Sequence, residues 1–186
     1  MKLFIALLHH PVYNKSGQVI TTSITGFDLH DIARSALSYG VLGYYVVNPL
    51  EAQRKFAERI VGCWRRGESF DFNPTRAEAF DILKLKSDLG EAVADISRMC
   101  KAQPKIVATS AKADKGTGYR EMSEILEKSE DPHLILFGTG WGLAREIVDS
   151  SDYVLEAIKG KTGYRHLSVR SAVAITLDRL LGEGRR

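Results

Sequence analysis

Short apolar runs rich in β-branched and aromatic side chains recur along the chain at residues 3–8, 41–47, 82–86, 105–109, 134–137 and 153–155. Their length and composition predict six β-strands. Most are continuous rather than alternating, the pattern of strands covered on both faces by helices. Ile82-Leu83-Lys84-Leu85-Lys86 alternates instead, which places it at a sheet edge.

Between these runs the periodicity becomes helical, with readable boundaries. Asp28 precedes a helix over 29–39 that Gly40 stops, and Pro49 opens another over 50–66. Thr75-Arg76-Ala77-Glu78 has the form of a capping box, and Ser87 is placed to cap a run reaching Met99. In the last helix Val169, Ala172, Val173, Thr176, Leu177 and Leu180 fall at i, i+3, i+4, i+7, i+8 and i+11, making one apolar face. Strands alternating with helices predict a three-layer α/β domain with a mostly parallel sheet of about six strands. At 186 residues a single domain spanning 1–186 is expected, with only 182–186 reading as a frayed end.

Composition changes this picture little. A hydrophobic content of 44%, a net charge of +3 and a pI of about 8.8 permit an anionic partner such as nucleic acid without requiring one. Cys63 and Cys100 lack the spacing of a metal site or redox pair and read as buried thiols of a cytoplasmic protein. The apolar start is cut by His9-His10-Pro11 before it reaches signal-peptide length, and no apolar stretch is long enough to span a bilayer. A cytoplasmic protein without membrane attachment is expected.

The chemistry gathers in loops that follow strands. Residues 10–27 form a long polar excursion carrying Asn14-Lys15-Ser16-Gly17, and 110–119 carry Lys112, Lys115, Gly116 and Gly118. The fifth strand breaks into Gly138-Thr139-Gly140-Trp141-Gly142-Leu143, and Gly163-Tyr164-Arg165-His166-Leu167-Ser168 follows. Such a glycine turn is either a tight βα connection or a loop whose main chain approaches an adenosine or phosphate. As a dinucleotide fingerprint its third glycine comes one residue early, and fewer than about fifty residues remain after it. No Gly-Lys-Ser/Thr phosphate loop or Gly-x-Ser-x-Gly elbow occurs, and the five histidines lack metal-helix spacing, so no metal is expected. The adjacent His9 and His10, at a strand end, are candidate site residues, although a structural role is the more usual reading of such a pair.

Taken in order, residues 134–143, 153–160 and 164–175 resemble the two C-terminal motifs of the SPOUT superfamily, the α/β-knot RNA methyltransferases. Asp28-Leu29-His30-Asp31-Ile32-Ala33-Arg34-Ser35-Ala36 is similar to the N-terminal motif of its ribose 2′-O-methylating branch. The whole chain resembles a poorly characterised bacterial SPOUT group sometimes joined to a tRNA guanine-N1 methyltransferase. Asp28 and His166 stand where that branch carries asparagine, which leaves the acceptor atom open.

The resemblance implies a deep C-terminal trefoil knot and a bent S-adenosylmethionine held by main-chain groups. Its pocket would be made by Leu136, Gly138, Thr139, Gly140, Trp141, Gly142, Ile158, Gly160, Tyr164, His166, Leu167 and Ser168, with Leu136, Ile158 and Leu167 flanking the adenine. It implies that Arg34 holds a phosphate or lowers the pKa of the nucleophile, and that His10 or His166 takes the proton. RNA, either tRNA or rRNA, would meet Lys15, Lys112, Lys115, Arg120, Lys159, Lys161 and Arg165, although such scattered charges also fit a solvated surface. Arg165 and Arg170 fit a dimer interface or helix packing equally well. A homodimer is expected. A non-catalytic RNA- or ribosome-binding module of the same fold is the alternative, and a nicotinamide-dependent oxidoreductase a third reading.

Overall fold

The computed structural model describes residues 1–65 and 74–183. Six strands form one sheet: β1 (Lys2–Leu8), β4 (Gly43–Val47), β5 (Leu83–Lys86), β6 (Lys105–Thr109), β7 (Pro132–Gly138) and β8 (Tyr153–Leu155). Their order is β5-β4-β1-β7-β6-β8, and every pairing is parallel. The alternating segment 82–86 is therefore an edge strand, as its pattern requires. A two-stranded antiparallel hairpin, β2 (Val12–Tyr13) with β3 (Val19–Ile20), rises from the excursion after β1.

Helices cover both faces, which explains the continuous apolar runs. On one side α1 (Gly26–Ser38), α2 (Glu51–Arg65), α3 (Pro74–Asp81), α5 (Tyr119–Lys128) and α7 (Val169–Leu181) bury Leu3, Ile5 and Leu7. On the other, α4 (Leu89–Cys100) and α6 (Arg145–Asp149) cover Phe4, Ala6 and Leu8. Alternate residues of one strand thus feed two separate cores. The last helix buries Val173, Thr176, Leu177 and Leu180 along the stripe read from its sequence.

Three helix starts differ from the sequence reading. The cap of α1 is Thr25, whose Oγ1 accepts from Asp28 N–H and donates to the Asp28 carboxylate, so Asp28 lies inside the first turn. Asp88 caps α4, with Ser87 N–H donating back to Glu91; the reciprocal box is one residue later than Ser87 suggests. At α3 the helix already includes Pro74, whose missing N–H suits a first helical position, and Thr75 lies within it. The expected α2 residue Arg66 and the chain end 184–186 lie outside the described residues. Cys63 is exposed on the outer side of α2 and Cys100 half-buried, against the expectation of two buried thiols; both are free.

Ile5 is fully buried in β1, the strand that pairs with β4 on one side and β7 on the other and so joins the sheet's two halves. Ile5→Ala should lower unfolding free energy by about 2–5 kcal/mol in urea titration. A loss below about 1 kcal/mol would contradict this placement.

Candidate functional site

Because all six strands are parallel, their carboxyl ends share one rim. After β1 the chain moves outward to β4, whereas after β7 it moves the other way, past β6 to β8. The rim between β1 and β7 is thus a topological switch point, where open α/β sheets hold ligands. The excursion after β1 and the glycine turn after β7 both emerge there, since Leu8 pairs with Gly138.

These two loops are stitched together. Tyr13 N–H donates to Gly142 O at 2.9 Å, Trp141 N–H to Tyr13 O at 2.9 Å, and Ala144 N–H to Pro11 O at 3.1 Å. Gly140 has φ +59°, and a Cβ there would stand 2.8 Å from Tyr13 O, so both its conformation and its neighbour require glycine. Thr139 Oγ1 donates to Leu8 O at 3.1 Å and meets Thr22 Oγ1 at 2.5 Å, and Thr22 Oγ1 in turn lies 3.0 Å from His9 Nδ1. With Leu8 O accepting, Thr22 donates to Thr139 and His9 Nδ1–H donates to Thr22.

That direction leaves His9 Nε2 as a lone pair, buried and without a hydrogen-bond partner among the described residues. Burial lowers the His9 pKa to about 4, so the ring is neutral at pH 7. Of the adjacent histidine pair, the buried one is the hub of this hydroxyl chain. His10 is half-buried, its Nδ1 3.3 Å from Ile20 O and 3.2 Å from Thr21 Oγ1. Either tautomer finds a partner there, Nδ1–H donating to Ile20 O or a bare Nδ1 accepting from Thr21 Oγ1–H.

The third wall is the segment following β8. Glu156 N–H donates to Thr117 O at 3.1 Å and Ala157 N–H to Ala113 O at 2.9 Å, binding this segment to the loop after β6. From Ile158 to Leu167 the main chain then makes no backbone–backbone hydrogen bond among the described residues. His166 meets Trp141 edge-on, ring centroids 5.9 Å apart, and Tyr164 likewise at 5.6 Å. The glycine loop and the 163–168 run therefore do come together. Trp141 is 47% and Tyr164 72% exposed, so this aromatic group faces outward.

Other expected site residues distribute differently. Leu136 is fully buried in the α4-side core, whereas Ile158 packs against the opposite one, so the two do not form a sandwich with the exposed Leu167. A side chain in a central strand points into a helical layer, not onto the rim. Gly138 and Thr139 form the base of the turn, and Ser168 caps α7 through Ser171 N–H at 3.2 Å. A Cβ built at Gly142, Gly160 or Gly163 would meet nothing within 4 Å, so open space adjoins these stretches of main chain.

The charges also sort. Asp114 binds Arg165 at 2.7 Å and approaches Lys159 at 3.7 Å; the Arg165 hydrogen bond and charge lower the Asp114 pKa. Arg120 pairs with Glu124 on α5 at 3.5 Å and is almost fully exposed. Lys15, Lys112, Lys115 and Lys161 have no ion pair among the described residues. Lys15 and Lys112 line a cleft of about 250 Å³ with Tyr13, Asn14, Gly17 and Trp141. A larger groove of about 440 Å³ lies between α2 and β5, at the far edge from the switch point.

Arg34 is exposed on α1, with no hydrogen bond, ion pair or ring contact to the loops among the described residues. Arg170 ties α7 to α1, 3.2 Å from Asp31 and 3.6 Å from Asp28, with its guanidinium 5.3 Å above the Phe27 ring. Its role within the chain is helix packing. Thr22 and Tyr13 were invisible as site residues in the sequence, where their only signal was a polar stretch too long for a βα turn. Among the described residues no group of three or more histidine, cysteine, aspartate or glutamate residues is placed to hold a metal, and no helix is long and apolar enough to cross a membrane.

Fold and site define an α/β protein with a main-chain-rich ligand site at the switch point of a parallel sheet. A family model described as SAM-dependent RNA methyltransferase matches residues 2–182, and the chain belongs to that family. A tRNA (guanine-N(1)-)-methyltransferase of Nitratidesulfovibrio vulgaris is 42% identical over 181 residues, covering 97% of this chain but 42% of the relative. An uncharacterized protein of Aquifex aeolicus is 41% identical over 184 residues, covering 98% and 90%. Less than half of the tRNA methyltransferase relative is thus spanned here. The SpoU methyltransferase AviRb of Streptomyces viridochromogenes, solved with AdoMet, matches with a TM-score of 0.53 at 15% identity over 97% of this chain and 56% of that one. The fold is that of the SPOUT methyltransferases, as the motifs indicate.

Two outcomes test the site's construction. Stability should be level above pH 6.5 and fall as pH drops toward 4, because the unfolded chain binds a proton at His9 that the folded one refuses; the loss is about 3 kcal/mol. His9→Asn should flatten that part of the pH profile in denaturant titrations, and an unchanged slope would contradict the assignment. Gly140→Ala should cost at least about 1 kcal/mol from its backbone conformation alone. Comparable stability of the variant would show that the hairpin does not press on the turn.

Proposed function

We propose that the protein transfers a methyl group from S-adenosylmethionine to RNA, tRNA or rRNA, in the cytoplasm. The single observation that carries this is the meeting of the glycine turn with the 163–168 run, joined by Trp141 and His166, at the switch point of the parallel sheet. The family supports the chemistry. Named relatives favour tRNA as the acceptor, although this chain spans only part of them.

The residues present suit such a cofactor. Within the turn the N–H and C=O of Gly140 and the C=O of Trp141 are unengaged among the described residues, residues 158–167 make no backbone–backbone hydrogen bond, and open space adjoins Gly142, Gly160 and Gly163; free main-chain groups beside open space are what an adenine edge and ribose hydroxyls need. Leu167 supplies exposed apolar surface against the adenine, and Ile158 is partly buried against the core on the α1 side. When bound, the cofactor supplies a methyl group already activated on a sulfonium. The chain then has to align an RNA nucleophile and accept one proton. His10 or His166 on the open face takes that proton.

Arg34 would hold the target phosphate or stabilise the ionised nucleophile. It lies on the outer side of α1 with Phe27, itself 70% exposed, and we propose that this side faces a second subunit whose site Arg34 completes. A trefoil knot belongs to the same proposal. Its support is that residues 154–157 bond to 113–117 at the far edge, after which the chain returns to pack α7 against α1 and α5. Gly116 leaves no room for a Cβ against Val154 O, so the two segments press closely.

Calorimetric titration with S-adenosylmethionine should give saturable binding, and labelled methyl should pass to bulk tRNA or rRNA. Arg34→Ala should reduce transfer by about 100-fold while changing cofactor affinity by less than about twofold. Cofactor binding with no transfer to any RNA pool would replace this reading with the non-catalytic RNA-binding module.

A further inference from the structure

We infer that the cleft between the β2–β3 hairpin and the glycine turn is a stacking site for one unpaired RNA nucleotide, with the Trp141 indole as its platform and Lys15 and Lys112 as its phosphate clamps. This rests on the RNA-methyltransferase reading and adds the class of RNA: single-stranded, with a base turned out of any helix.

Three features point there. The first is Trp141 itself. Its main chain is fixed by the bond to Tyr13 O, yet its large ring is left 47% exposed and no hydrogen bond of its indole N–H is found among the described residues. A side chain that closed the turn only structurally would bury its area or spend its donor. The second is charge. Lys15 approaches from the hairpin and Lys112 from the loop after β6, and neither has an ion pair among the described residues. The one nearby carboxylate on that loop, Asp114, is already engaged by Arg165 and Lys159.

Preorganisation is the third. The turn that carries Lys15 is braced by Asn14, whose side-chain oxygen accepts from Ser16 N–H at 2.9 Å and Gln18 N–H at 3.0 Å, while its amide donates to Gln18 Oε1 at 2.9 Å. This bracing fixes the main chain from which the Lys15 side chain starts, beside the Trp141 ring. At about 250 Å³ the cleft is below the size that encloses a whole cofactor-like ligand and suits a fragment such as one base. Aromatic surface flanked by cations is the recognition mode of unpaired nucleotides, since duplex RNA keeps its base faces stacked inside.

The test uses the full chain with two probes, an octamer of uridine and a blunt 16-base-pair RNA duplex, read by tryptophan fluorescence and by salt-dependent titration. The octamer should quench the Trp141 emission, the signal disappearing in Trp141→Phe, in which Trp64 alone remains. Trp141→Leu should weaken the octamer about tenfold and S-adenosylmethionine less than about twofold. Replacing Lys15 and Lys112 together by alanine should lower the slope of log K against log salt by about 1.4, two phosphate contacts.

Equal loss of cofactor and octamer in Trp141→Leu would overturn the proposal by returning the indole to the cofactor pocket. So would preference for the duplex, or concentration-dependent burial of Trp141 in the RNA-free protein, the mark of a second copy covering it. Methyl transfer to RNA with no role for Trp141 would sink the stacking site alone. Octamer stacking without any methyl transfer would sink the catalytic reading and leave the stacking site standing.

Discussion

Because β1 and β7 pair in register from Lys2 with Pro132 to Leu8 with Gly138, two loops that are about 130 residues apart in the chain leave the sheet side by side. Everything chemical in this molecule depends on that pairing. Leu8 O alone receives both Thr139 N–H and Thr139 Oγ1–H, so the end of the first strand serves as the anchor for the glycine turn. The parallel direction of every strand does the rest, by sending the excursion after β1, the turn after β7 and the segments after β6 and β8 to one rim.

Much of this architecture was legible in the chain. Continuous apolar runs reported strands buried on both faces, and the lysines of Leu83-Lys84-Leu85-Lys86 marked the edge, where Lys84 reaches Asp95 on α4 at 2.8 Å. Helix starts were less legible, by one to three residues, because Thr25 and Asp28, or Ser87 and Asp88, offer equally good caps locally, and tertiary packing chooses between them. The hairpin β2–β3 escaped because two-residue strands carry no periodicity.

The site was legible in its glycines and in the order of its motifs, less so in its side chains. Leu136 illustrates the reason: an apolar residue just before a glycine turn looks like a pocket wall in sequence, yet the strand's alternation turns it into the core. Conversely, Thr22 looks like one polar residue among several, and only the folded chain places its hydroxyl between His9 and Thr139. Hydrogen-bond chains between distant loops leave no trace in spacing. Arg34, recognised by motif, lies away from the rim within a single chain, which a linear motif has no means to express.

The bonds that join Tyr13 to Gly142 and Trp141, Pro11 to Ala144, and Thr22 to Thr139 make the hairpin and the glycine turn a single mechanical piece mounted on the sheet. Residues 158–167 have no comparable hydrogen bonds to the sheet; what holds them is Asp114 through Lys159 and Arg165, the packing of Ile158 and the edge contact of His166 with Trp141. Low local bonding is where native chains open first. Accommodation of a ligand in this molecule is therefore lopsided: one side of the rim keeps its shape, and the other, latched by one aspartate and one ring contact, does the yielding.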